Sequence, residues 1–138
     1  MGANKAHTDS LGAYQSYPTA SCDGLLALSL LEASDQRIRD VLNYINTQND
    51  FWSWGILGAE HWQQAMTYYY LMARSEVYLQ ANGQAFWDPQ VLRWLGQQQQ
   101  ANGSFQNSQG AISKEDEPIL TTTMALYTWL NCQLTDKN

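Results

Sequence analysis

The sequence predicts an all-α fold, a partial α/α toroid of helical hairpins in which inner and outer helices alternate. Three observations lead there. Five stretches carry helical rather than strand periodicity, their apolar faces are alternately wide and narrow, and one pattern of residues returns after about fifty positions. The 138 residues are 44% hydrophobic, enough for one domain to bury a core. Six Trp, eight Tyr and three Phe give it large apolar side chains that must enter a core, a cavity or an interface.

Each element has a start that can be read. An irregular segment over residues 1–16, polar and patternless at its beginning, precedes a repeat region over 17–138. The first helix is expected over about Ala20–Ala33, after Pro18. Ser34-Asp35 offers caps for a second helix over about Gln36–Gln48. A third is expected from about Ala59 to Ala81, stopping at Asn82-Gly83. Asp88-Pro89 opens a fourth and Glu117-Pro118 a fifth, since proline fits the first turn, where an amide has no helical partner.

The faces then sort the helices. Ile38, Val41, Leu42 and Ile45 form one stripe on the second helix, and Val91, Leu92 and Leu95 do so on the fourth, as outer helices require. The first is apolar nearly all round, with Leu25, Leu26, Leu28, Leu30 and Leu31. The third has two stripes, one through Trp62, Ala65, Met66, Tyr69 and Ala73, the other through Tyr68, Leu71, Tyr78 and Leu79. These two are expected to be inner helices covered on two sides, and the fifth, carrying Leu120, Met124, Leu126, Tyr127 and Leu130, to continue the inner ring, with an uncovered apolar edge remaining where the ring stops. A four-helix bundle would show one comparable face on each helix.

The repeat lies in the outer helices. Val41-Leu42, Tyr44-Ile45 and Gln48 return as Val91-Leu92, Trp94-Leu95 and Gln98, and an aromatic turn follows each copy: Phe51-Trp52-Ser53-Trp54, then Gly103-Ser104-Phe105. Five helices are about half of a ring, so the chain is expected to belong to a larger toroid or to depend on a partner.

Charge and composition exclude several functions. Seven basic against thirteen acidic residues give a formal charge of −6, and no Lys/Arg cluster could follow a phosphate backbone, so nucleic acid is not an expected partner. Cys22 and Cys132 lie near opposite ends in helical patterns and read as buried free thiols. Cys22, Asp23 and His61 lack metal-ligand spacing, so no metal or other cofactor is expected. No signal peptide opens the chain and no apolar run is long enough to span a bilayer. A soluble protein is expected, with no compartment indicated.

The segment from Trp94 to Phe105 resembles the QW motif of squalene and terpenoid cyclases, in which an aromatic-aliphatic pair is followed by Gln and then Gly-x-Trp. Tyr44 and Gln48 belong to the first copy, where Asp50 replaces the turn glycine; Trp94, Gln98, Gly103 and Phe105 belong to the second, which ends in Phe. The wider frame, over residues 14–133, is similar to bacterial prenyltransferase and squalene-oxidase repeat proteins. The resemblance implies that the motif is a structural staple, with the glutamine bonded to the backbone of a neighbouring hairpin.

It also implies a place to look for an acid. Squalene–hopene cyclases protonate a polyene with an Asp-x-Asp-Asp-Thr motif, and Glu115, Asp116 and Glu117 occupy a comparable place before a helix. Glu117 would then be the general acid of a terpenoid cyclase-like isomerase. Pro118 and Ile119 stand where the fourth acid and the Thr belong, and three solvated acids at a helix N-terminus are the simpler reading. Trp52, Trp54, Trp62, Tyr68, Tyr69 and Tyr70 are candidates to line an apolar ligand cavity, although aromatics at helical spacing more often pack a core.

A more distant likeness joins Trp94–Phe105 to the α2-macroglobulin and complement thioester domains. Their thioester needs Cys followed three residues later by Gln, and here Cys22 is followed by Asp23, Gly24 and Leu25. The preferred expectation is therefore a non-catalytic toroid module binding an apolar, isoprenoid-like molecule, a peptide, another domain or a second copy of the chain. The cyclase-like enzyme is the alternative.

Overall fold

A computed structural model of the chain describes residues 10–12, 17–31, 35–47, 64–80, 88–111 and 113–135. Among these residues the chain is all-helical, with five helices and no strand: α1 (Pro18–Leu30), α2 (Asp35–Thr47), α3 (Thr67–Gln80), α4 (Asp88–Gln98) and α5 (Pro118–Thr135). No helix of the described residues is long and apolar enough to cross a membrane.

Why α1 starts where it does follows from its first residues. Pro18 follows an extended Tyr17, whose carbonyl accepts the Ser21 amide and hydroxyl, each at 3.0 Å. In α2 the expected single stripe holds: Ile45 is buried, and Ile38, Val41, Leu42 and Tyr44 pack partly buried against the core. The opposite face carries Gln36, Arg39 and Asp40, joined by side-chain hydrogen bonds one turn apart. α4 repeats the scheme with Val91 and Leu95 buried and Leu92 and Trp94 half-buried.

Packing runs in series. α3 packs against α1 and, most extensively, against α5, while α2 lies on α1 and α4 on α5. Flanked in this way, α3 is buried round most of its circumference, including Tyr68, Tyr70, Leu71, Ala73, Val77 and Tyr78. Arg74 is buried too, at 1% exposure. Its guanidinium donates to the Tyr70 hydroxyl at 2.6 Å, the Tyr78 hydroxyl at 2.8 Å and the Ile45 carbonyl at 3.3 Å. Tyr78 in turn donates to Asn46 at 3.1 Å. α3 and α2 are thus tied through a cation whose hydrogen bonds offset the cost of its burial.

Two expectations are corrected. The third helix begins at Thr67 rather than near residue 59, because residues 64–66 form a turn. The first helix is covered on one side only: Thr19, Cys22 and Leu25 are buried, whereas Leu30 is 85% exposed. Among the described elements α2 and α3 are its main packing neighbours. The fifth helix is likewise half covered. Thr121, Ala125, Thr128, Asn131 and Cys132 are buried, while Ile119, Leu126, Tyr127, Trp129 and Leu130 remain exposed. Cys22 and Cys132 are buried free thiols, as expected, and burial pushes Cys22 up to about 12.

Candidate functional site

The described candidate residues converge on the segment between α4 and α5, which folds back over the start of α3. After α4 the chain turns at Gly103, whose φ of 86° is one that L side chains rarely adopt. Its amide donates to the Gln100 carbonyl at 2.8 Å, and the Gln99 side chain closes the turn by donating to the Gly103 carbonyl at 3.0 Å. Phe105 then enters the core, its amide held at 2.9 Å by the Thr122 hydroxyl of α5.

Beyond Phe105 the backbone doubles back. Asn107 donates to the Glu115 carbonyl, and Gly110 accepts both the Ser113 and Glu115 amides at 3.0 Å. Lys114 adopts a φ of 67° to complete the bend. Gly110 is required by space: a Cβ there would lie 2.4 Å from the Glu115 Cβ. The Ser113 hydroxyl reaches the Ala65 carbonyl, and the Thr121 hydroxyl bonds the Glu115 carbonyl, fastening the loop to both helices.

The purpose of this loop is visible in Glu115. Instead of standing in solvent with its two neighbours, its side chain is fully buried. The carboxylate accepts the Tyr69 amide at 2.7 Å, the Tyr68 amide at 3.2 Å and the Asn107 side-chain amide at 2.8 Å. It therefore caps the N-terminus of α3, where the amides have no helical partner and the dipole favours a negative charge. Burial raises the Glu115 carboxyl above its usual range, and the bonds from Asn107 and the Tyr69, Tyr68 and Thr67 amides oppose that rise. Asp116 is partly buried, with one carboxylate oxygen lacking a partner. Glu117, the acid that a cyclase-like reaction would use, is exposed and lines neither cavity described below.

The three consecutive tyrosines point in three directions, as steps of 100° around a helix dictate. Tyr68 packs against Trp94, with ring centroids 5.5 Å apart, and edge-on to Phe105 at 6.1 Å. Tyr69 is half-buried and donates to Asp23 at 3.0 Å. Tyr70 turns inward to Arg74. Burial, with the neighbouring carboxylates adding to it, pushes both Tyr68 and Tyr69 up to about 12. Trp52, Trp54, Trp62 and Gln48 lie outside the described residues.

Two cavities flank this arrangement. One, of about 390 Å³, is lined by Gln64, Thr67, Tyr68, Trp94, Gln98, Gln106, Asn107, Ser108 and Gln109. The other, of about 340 Å³, is a mostly apolar groove between α4 and α5 formed by Leu92, Leu95, Gly96, Gln99, Phe105, Ala125, Leu126 and Trp129. Of the motif residues, Tyr44 packs against the core through its half-buried ring, and Trp94 and Phe105 surround Tyr68. Gln98 is exposed in the polar cavity. Backbone stapling falls instead to Gln106, which donates to the Asp116 carbonyl at 2.8 Å, and to Asn107, which donates to the Gln64 carbonyl.

Among the described residues no group of three or more His, Cys, Asp and Glu is placed to hold a metal ion. No protein-family model, curated protein or solved structure matches the chain.

Proposed function

We propose that the chain is a non-catalytic helical-repeat module of the toroid kind, whose α5 face receives a helix from another protein unit. The observation that carries this reading is the second stripe of α5. Ile119, Thr123, Leu126 and Leu130 follow one another at i, i+4, i+7 and i+11, the spacing at which one helix packs along another. Tyr127 and Leu134 flank them, also exposed. The buried stripe of Thr121, Ala125, Thr128 and Cys132 has the same spacing and is covered by α3. Among the described residues α5 thus packs on α3 and α4 and leaves this second stripe largely exposed.

Charge identifies the simplest occupant. Residues 118–135 include no Asp, Glu, Lys or Arg, in a chain whose net charge is −6. Two copies meeting along α5 bring together helix faces that carry no charged side chain of their own, in the self-complementary manner of a twofold dimer. The groove at Leu126 and Trp129 offers each copy a recess for an apolar side chain of the other. The likeness to squalene-cyclase-type repeats supports the same role, since there too a hairpin is completed by its neighbour.

Multi-angle light scattering tests the proposal. The wild-type chain is expected to be a dimer at micromolar concentration, and Leu126→Glu/Leu130→Glu a monomer with unchanged helical circular dichroism. A wild-type chain that stays monomeric at ~100 μM, where interfaces weaker than about 5–6 kcal/mol would still be dissociated, would overturn self-association.

A further inference from the structure

The polar cavity is separate from the α5 face, and neither the repeat architecture nor assembly accounts for its lining. Among the described residues that lining is uniform in charge: every side chain is neutral, and five of nine are amides. At about 390 Å³ it falls in the range of roughly 300–1,000 Å³ occupied by small-molecule sites. The side-chain amides of Gln64, Gln98 and Gln109 make no hydrogen bond among the described residues. Each such amide offers two donors and a two-lone-pair acceptor.

Groups that both donate and accept match hydroxyls, which do the same. An ionic ligand would face no counter-charge among the described lining residues, and the Glu115 carboxylate behind Asn107 is engaged by the α3 amides and by Asn107 itself. A purely apolar ligand would strip water from the amides and return no hydrogen bond. An aromatic ring supplies what remains. The half-buried Trp94, braced at 50° against the buried Tyr68, gives the cavity ring surface on which an apolar face of a ligand can rest. Sugars combine a ring of C–H bonds with a rim of hydroxyls.

From this we infer that the Tyr68–Trp94 cavity is a binding site for a neutral carbohydrate, with one pyranose ring resting on Trp94 and its hydroxyls bonded by Gln64, Gln98 and Gln109. The site binds and does not cleave: Glu115, bonded to Asn107 of the lining, is committed to capping. Rigid loop geometry holds the far wall, since Asn107 is tied to the Gln64 carbonyl and Glu115.

Titration with maltose, cellobiose and N,N′-diacetylchitobiose, followed by calorimetry and by the tryptophan indole resonances in ¹H–¹⁵N spectra, tests the assignment. At least one disaccharide is expected to bind with a Kd of about 1 mM or tighter and to shift an indole signal that is missing from Trp94→Phe. Gln98→Ala/Gln109→Ala, which removes two amides without disturbing the core, is expected to weaken binding about tenfold or more at unchanged thermal stability. Absence of binding by all three sugars overturns the inference, as does binding that the double variant leaves intact. Preferential binding of an uncharged Gly/Ser/Gln peptide would assign the cavity to protein recognition and also overturn it. Because these variants lie away from α5, each result is independent of the oligomeric state.

Discussion

The Glu115 carboxylate and the Tyr69 amide meet at 2.7 Å across 46 positions of sequence, closing the N-terminus of α3 with a cap from a remote loop. Most helix caps are local, supplied by the residue just before the first turn. Here the local sequence, Gln64-Ala65-Met66, has no Ser, Thr, Asp or Asn at that place, and the loop between α4 and α5 provides the acceptor instead.

Removing that acceptor is expected to be costly. Glu115→Ala leaves at least two buried amides without partners, at about 1–3 kcal/mol for such a group, offset in part by relief of the carboxylate's own desolvation. A net loss of about 2–4 kcal/mol in urea unfolding is expected, larger than for an ordinary surface cap. A loss under about 0.5 kcal/mol would show that the cap contributes little.

Acidity provides a second check on the same residue. The folded-state pKa of Glu115 is raised above the ordinary value of 4.5. Its titration therefore favours the folded state most below that ordinary value, and this favour is lost as pH rises through the folded pKa. Comparing wild type with Glu115→Gln by chemical unfolding at several pH values isolates the effect. The stability of the wild type relative to the variant is expected to fall as pH increases from about 4.5 towards neutrality. A difference that grows with pH would mean that the amide bonds outweigh burial.

Gly110 allows the carboxylate to reach its place. Gly110→Ala sets a methyl 2.4 Å from the Glu115 Cβ, a distance that only backbone movement can relieve. The expected cost is about 1–3 kcal/mol, in the range of overpacked sites. Since the displaced group is the cap itself, the Gly110→Ala/Glu115→Ala double variant should lose less than the sum of the two. Additive losses in denaturant unfolding would separate the two effects.

Much of the helical framework was legible because it depends on local chemistry. Pro18, Pro89 and Pro118 mark helix starts, and the single stripes of α2 and α4 follow from spacing alone. Which sides are covered was less legible. The leucines of α1 and α5 suit burial, yet burial depends on the presence of a neighbour, and Leu30 and Leu130 have none over much of their surface. The start of α3 was misplaced because its cap is distant in sequence. Of the candidate site, Tyr68, Trp94 and Phe105 do assemble, whereas Tyr69 and Tyr70 diverge with the turn of the helix. Glu115 stands among three acids that look alike in sequence; only the path of the backbone through Gly110 and Lys114 sends it inward.

The doubled-back loop also bears on modularity. In an array of hairpins each unit rests on the next and can in principle be cut away at a connection. A cut in the connection between α3 and α4 would separate α3 from the carboxylate at its first turn, leaving an unfinished helix on one side and a buried acid without its α3 donors on the other. The natural unit of folding therefore includes both halves, and loosening at the α4–α5 loop is felt at the centre of the core.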